Sequence, residues 1–169
     1  MRTLRAIALA LSLVVWIGPG CVSYPIAVKQ SPDWVERGSG LWRAEEDVFQ
    51  GVGVASGIQN RLLLRATADN RARSELAAVM VRYVEALAAS AGKAGDQDPG
   101  VLQPLAQASL NRAVIVDHWI DPDSGRLYAL CRLNMASFKD TLAAYRMLPA
   151  DSRKTMLENA ERQHARMLP

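Results

Sequence analysis

A long helical repeat between residues 61 and 91 constrains the fold more than any other part of this chain. Apolar side chains recur there every three or four residues, the spacing of one helix face, whereas charged side chains occupy the other faces. Gly92 and Gly95 follow the repeat and predict the end of the helix. Such a helix needs a second layer to cover its apolar face. The residues of that face are Ala68, Ala72, Leu76, Met80, Tyr83 and Leu87.

The segment 47–56 predicts a strand of that second layer. Its residues alternate between a set with larger side chains and a set that contains Gly51 and Gly53. We interpret the two glycines as positions where a helix approaches the strand closely. A dinucleotide-binding loop is disfavoured, because the third glycine of G-x-G-x-x-G would fall at Ser56 and the glycines lie inside the strand.

A β-hairpin is predicted from residues 113–120 and 126–135. The connecting segment 121–125 contains a proline, which presets a turn, and a glycine that can adopt positive φ. In the second strand the apolar residues recur with period two, and Cys131 is one of them. Cys131 is therefore predicted to be a small core side chain rather than a reactive thiol.

The acidic residues near this hairpin turn raise the alternative of a calcium site. Asp121 and Asp123 lie close in sequence to Asp117 and His118. An EF-hand loop requires a glutamate at its twelfth position, and counting from Asp121 places Arg132 there. Turn chemistry explains the aspartates, so we predict no metal site.

Three further helices are indicated after the long one. Residues 101–111 form a short candidate, and a capping box at Ser137 to Asp140 predicts a helix that continues to about Arg146. A final charged helix, 152–168, has a thin apolar stripe that includes His164, which we interpret as a surface residue. The predicted fold class is α+β, with a small antiparallel sheet of about three strands packed against one long helix, and additional C-terminal helices.

The N-terminus has the order of a secretory signal peptide. A basic segment, 1–5, precedes an apolar run, 6–17, and the small residues after this run lead to Cys21. The run has about 12 residues, whereas a spanning helix needs about 20. We therefore predict an exported lipoprotein with lipid on Cys21. Ordinary cleavage, with a free or disulfide-bonded Cys21, remains the alternative.

The predicted organisation has four parts, and one residue bears on location. Val22 stands where an aspartate would retain a lipoprotein in the inner membrane, which favours the periplasmic face of the outer membrane. The parts are a signal peptide at 1–20, a tether at 21–33, an α+β domain at 34–136 and a helical extension at 137–169.

The charge and the histidines disfavour several functions. The formal charge of +3 includes Arg2 and Arg5, and their removal with the leader would leave +1, so a nucleic-acid partner is not predicted. His118 is predicted on an apolar strand and His164 on a charged helix, and the sequence has no G-x-S-x-G motif. We predict no catalytic residues, no cofactor and no enzymatic activity.

Three short motifs occur in a recognisable order. Pro32-Asp-Trp-Val35 is followed by Gly51-Val-Gly-Val-Ala55 and by the alanine-rich helix segment 65–77. Together with the leader, this order over about residues 30–135 resembles the Lpp-twenty family of twenty-kilodalton membrane-associated lipoproteins. The resemblance implies an α+β domain with a long helix across a small antiparallel sheet. It also implies an outer-membrane location and, for some members, a role in motility or flagellar assembly, and it supplies no catalytic residues.

The sequence therefore predicts a non-enzymatic lipoprotein with a structural or assembly role in the envelope. Its expected partners are the membrane, through acyl chains on Cys21, and a second copy of the chain or another envelope protein. The alternative is a periplasmic binding module for a small ligand or a peptidoglycan fragment. That alternative would use the loop around Trp42 and a cleft between helix and sheet.

Overall fold

The computed structural model describes residues 31–43, 46–91 and 99–169. The signal peptide, Cys21 and most of the predicted tether lie outside these residues. Within them, five helices and four strands are found. In chain order they are α1 (Asp33–Arg37), β1 (Gly40–Arg43), β2 (Asp47–Ala55), α2 (Arg61–Ser90), α3 (Pro99–Leu110), β3 (Val114–Ile120), β4 (Leu127–Asn134), α4 (Met135–Ala144) and α5 (Ala150–Arg166).

The four strands form one antiparallel sheet in the order β1-β2-β4-β3. The long helix α2 packs on one face, which we call the inner face, and the opposite face is called the outer face. The predicted α+β class with additional C-terminal helices is confirmed, and the sheet has four strands rather than about three. The strand missing from the prediction is β1, which has only four residues and is too short to show a period.

The two glycines of β2 allow α2 to lie directly on the sheet. A β-carbon built on Gly51 would overlap the carbonyl oxygen of Ala72, and one built on Gly53 would overlap the carbonyl oxygen of Ala68. Phe49 and Ala55, on the same side of the strand, are fully buried. The predicted close approach of a helix is therefore confirmed, and its cause is the absence of side chains at these two positions.

Aromatic rings fill the core between β2 and the helices. The ring centroids of Phe49 and Tyr83 are 4.6 Å apart, and those of Tyr83 and Phe138 are 5.2 Å apart, both in edge-to-face geometry. His164 of α5 contributes a fourth ring, 5.2 Å from Phe49. The expectation that His164 is a surface residue is wrong, because α5 packs on α2 and encloses the imidazole completely.

The helix after the hairpin begins two residues earlier than its predicted capping box. Asn134, the last residue of β4, is the N-cap of α4, and its side-chain oxygen accepts the backbone N–H of Ser137 at 2.8 Å. Ser137 is thus inside the helix, where its carbonyl accepts the hydroxyl of Thr141. Strand β4 is followed by α4 without a loop. The period of the apolar residues alone does not show where the strand ends and the helix begins.

The outer face of the sheet is covered at one end by α1. Trp34 packs there with Trp119 and Leu130, and its indole N–H donates to Asp117 Oδ2 at 3.0 Å. Pro32 stands immediately before this five-residue helix, a position that suits its fixed φ. None of the helices in the three described ranges combines the length and the hydropathy needed to cross a bilayer.

Candidate functional site

A β-bulge in β3 decides which side chains reach each face of the sheet. Ile115 pairs with Cys131, but Asp117 pairs with Leu130, so that Val116 is an extra residue between them. Without this insertion, His118 would share a face with Val114. The bulge instead turns His118 toward α2 on the inner face.

His118 contacts the long helix through an acidic partner. Its Nε2 lies 2.5 Å from Asp69 Oδ1, and both side chains are only about a quarter exposed. The carboxylate can only accept, so Nε2 carries the proton. The contact ties the edge strand to α2, which is a structural role for a residue that the sequence placed on an apolar strand.

The aspartates near the hairpin turn do not converge on a common point. Asp117 accepts the indole N–H of Trp34, and its other oxygen accepts the backbone N–H of His118. Asp121 accepts the backbone N–H of Asp123 and the hydroxyl of Ser124, and these hydrogen bonds, the hydroxyl first, lower the pKa of Asp121. No group of three potential metal-ligating side chains occurs among the described residues.

His164 lies in a closed environment rather than at an accessible site. Its Nε2 is 3.1 Å from the carbonyl oxygen of Val48 and therefore donates to it. Its Nδ1 faces Asp47 Oδ1 at 3.6 Å. Asp47 also accepts a hydrogen bond from the Arg43 guanidinium at 2.6 Å, and this bond lowers the pKa of the carboxyl group.

Of the two cysteines, Cys131 belongs to the described part of the chain. Cys131 is free and fully buried on the inner face, which confirms its predicted place in the core. Burial raises the pKa of its thiol, so the nucleophilic thiolate is disfavoured. Cys21, the predicted lipidation site, lies outside the described residues.

At the two glycines of β2, no cleft separates helix from sheet. The backbone of α2 lies directly against Gly51 and Gly53, so a ligand has no space between helix and strand at these two positions. Trp42, which the sequence placed in a loop, belongs to β1 and pairs with Val48. Its ring lies under the guanidinium of Arg37, with 5.7 Å between the Arg37 Cζ atom and the ring centroid.

A cavity of about 520 Å³ lies on the outer face, at the end that α1 does not cover. We call it the outer groove. Its walls combine exposed apolar side chains with two guanidinium groups. The lining residues are Glu46, Val48, Arg112, Val114, Val116, Arg132, Asn134 and Ser137.

Arg132 is the unusual residue of the outer groove. It projects from β4, the strand between β2 and β3, where Gln50 and Val114 are its cross-strand neighbours. Its Nε atom is buried and has no hydrogen-bond partner among the described residues. Arg112, in contrast, forms an exposed ion pair with Asp140 at 3.2 Å. Sequence reasoning missed this site, and its only signal was an arginine inside a strand of otherwise apolar alternation.

Comparison of the sequence with protein-family models and with curated proteins finds no match to either. The resemblance to the Lpp-twenty family therefore stays a prediction based on the order of short motifs.

Proposed function

We propose that the chain is an exported lipoprotein, acylated at Cys21, whose domain has a non-enzymatic structural or assembly role on the periplasmic face of the outer membrane. The observation that carries this proposal is the leader, in which a basic segment and a short apolar run end in small residues before Cys21.

The position of the first helix is consistent with an anchor at Cys21. The first described helix begins at Asp33, so eleven residues separate it from the cysteine. A segment of this length spans at most about 40 Å when fully extended. It is long enough to let a domain anchored by its N-terminus contact partners beyond the lipid headgroups.

The contacts of the two histidines support a structural role. His118 joins an edge strand to α2 through Asp69, and His164 joins the last helix to β2 through the carbonyl of Val48. General acid–base catalysis requires a titratable group within reach of a substrate. Both rings are instead used in contacts between elements of the domain.

Replacement of the first cysteine tests the anchor, and the second cysteine provides a matched control. We expect the wild-type protein and Cys131→Ala to fractionate with membranes. Their intact masses should correspond to loss of residues 1–20 and addition of acyl chains. Cys21→Ala should lose the acyl mass and leave the membrane fraction. A wild-type protein without acyl chains would refute the proposal.

The outer-membrane location has a separate test in Val22. Density separation of the two membranes should find the wild-type protein with the outer membrane. Val22→Asp should move it to the inner membrane, and Val22→Ala should not. Crosslinking in intact envelopes should then give defined adducts with a second copy or another envelope protein. Absence of any adduct, together with no envelope or motility phenotype on deletion, would contradict an assembly role.

A further inference from the structure

We propose that the outer groove binds a small anionic amphiphile, with its carboxylate or phosphate head on Arg132 and its apolar body against Val48, Val114 and Val116. This site is distinct from the lipid anchor and does not depend on the proposed function.

The chemical state of Arg132 favours an anionic ligand. A guanidinium on the central part of a sheet is normally matched by a carboxylate or a carbonyl oxygen, because burial of an unpaired donor is unfavourable. Here no acceptor among the described residues contacts the buried Nε. The Nε–H and one Nη–H of a guanidinium lie side by side, so that a small movement of the Arg132 side chain toward the groove would let them bind both oxygens of one carboxylate or phosphate.

The described charged side chains of the groove leave Arg132 without a partner. Its charged lining residues are Arg112, Arg132 and Glu46, and Arg112 is already paired with Asp140. No described acidic group, Glu46 included, forms an ion pair with Arg132, so its guanidinium has no direct carboxylate partner within the described part of the chain. An anionic head group would complement this charge, whereas a cationic ligand would be repelled.

The apolar wall of the groove favours a ligand with an apolar body. Val114 is 55 % exposed and Val116 is 47 % exposed, although valine is a residue that sheets normally bury. Both line the outer groove, as does Val48 of β2. A ligand with an apolar body would remove these side chains from water.

The size of the groove favours a small molecule over a polypeptide. A volume of about 520 Å³ lies within the range of small-molecule sites, about 300 to 1,000 Å³. The anionic head group can be a carboxylate, as in a fatty acid, or a phosphate monoester, as in a lipid fragment. Two probes that share one apolar chain separate these sources.

The test uses the purified full chain with hexanoate, hexyl phosphate and 1-hexanol, each followed by calorimetry and by the NMR signals of the arginine Nε–H groups. We expect saturable binding of at least one anion, with a shift of the Arg132 Nε–H signal, and much weaker binding of hexanol. The anion that binds with the higher affinity identifies the head group. Absence of saturable binding by both anions, or equal binding of hexanol, would overturn the proposal.

Variants then locate the site. Arg132→Gln should reduce the affinity for the better anion at least about tenfold, since a charge-assisted bidentate contact is lost, and Arg132→Lys should reduce it less. Arg126→Gln, on the exposed hairpin turn, should leave it unchanged. Val114→Ser with Val116→Ser should weaken binding, whereas Leu63→Ser, at an exposed position on α2, should not. Wild-type affinity in Arg132→Gln or in the double serine variant would overturn the proposed pose.

The wild-type NMR titration needs no variant, so a misfolded variant cannot mimic failure. A wild-type protein that carries no acyl chains on Cys21 would refute the proposed function and leave this binding unchanged. Absence of binding would leave the anchor unaffected.

Discussion

The Nε2 atom of His164 lies 3.1 Å from the carbonyl oxygen of Val48, and this hydrogen bond joins the last helix of the chain to its second strand. The ring is fully buried against Phe49 and Tyr83. The helical segment after β4 is therefore part of the core formed by β2 and α2.

Removal of this ring should destabilise the whole domain. His164→Ala would lose a buried hydrogen bond and leave a cavity, for which we expect a loss of about 3 kcal/mol in the free energy of unfolding. Arg166→Ala, on an exposed face of the same helix, should change it by less than about 0.5 kcal/mol. Urea unfolding followed by circular dichroism measures both, and equal midpoints would show that α5 is not part of the cooperative unit.

The contact between β2 and α2 predicts a large effect of one methyl group. Gly53→Ala would force a side chain into the backbone of α2 at Ala68 and Ala72, with an expected cost of about 3 kcal/mol. Gly40→Ala in β1 is the control, because its added carbon would make an ordinary contact, 3.5 Å from Trp42 Nε1. Gly40→Ala should change the free energy of unfolding by no more than about 1 kcal/mol. Thermal unfolding compares the two, and a Gly53→Ala protein as stable as Gly40→Ala would contradict the described packing.

The buried hydroxyl of Tyr83 predicts how stability falls at alkaline pH. It donates to the carbonyl of Ala160 at 2.8 Å, and burial, reinforced by the charges of Asp47 and Glu161, raises the pKa of Tyr83 above its ordinary value of 10.0. The folded protein keeps the phenol neutral, whereas the unfolded chain can ionise it. The stabilising contribution is thus complete below the unfolded pKa and is lost as the pH rises above it.

Tyr83→Phe isolates this contribution. At neutral pH the variant should be less stable by about 1 kcal/mol, the value of one hydrogen bond. Above about pH 10 its free energy of unfolding should fall less steeply than that of the wild type, by one proton in the slope. Cys131, whose pKa is also raised by burial, contributes equally to both proteins. Parallel alkaline slopes would show that Tyr83 ionises in the folded state.

The contact of Asp69 with His118 predicts an energetic coupling between α2 and the edge strand. A double-mutant cycle with Asp69→Ala and His118→Ala should give a coupling energy of about 1 kcal/mol, since both side chains are partly buried. The same cycle on Arg112 and Asp140, which are both more than half exposed, should give a value near zero. Comparable coupling energies for the two pairs would mean that partial burial does not strengthen the contact of Asp69 with His118.

Burial of Cys131 predicts a protected thiol. In the Cys21→Ala variant, where it is the remaining cysteine, an aromatic disulfide reagent should react about 100-fold more slowly with the folded protein than in urea. Rapid reaction of the folded protein would indicate that β4 opens without global unfolding.

The elements that the sequence predicted well are those that repeat one period over many residues. The 30-residue helix α2 and the nine-residue strand β2 are of this kind, and the two glycines between them indicated the correct packing. The hairpin turn was also predictable, because Gly125 has the positive φ that its position required.

The features that escaped prediction depend on tertiary contacts. One inserted residue, Val116, reverses the faces of β3, and an alternating pattern does not mark where such an insertion occurs. His164 lies on a charged helix, and only the position of α5 over β2 makes it a core residue. The outer groove was missed for the same reason, since Arg132, Val48 and Val116 come together only when three strands are paired.

The closure of β2 by the last helix has a consequence for biosynthesis. A chain is made from its N-terminus, so Phe49 is synthesised long before His164, which covers it. A nascent or partly translocated chain therefore leaves Phe49 without the cover of α5 until that helix is free. Folding of this domain is completed only after α5 has been made, and a chaperone that holds the unfinished chain has that whole interval in which to act.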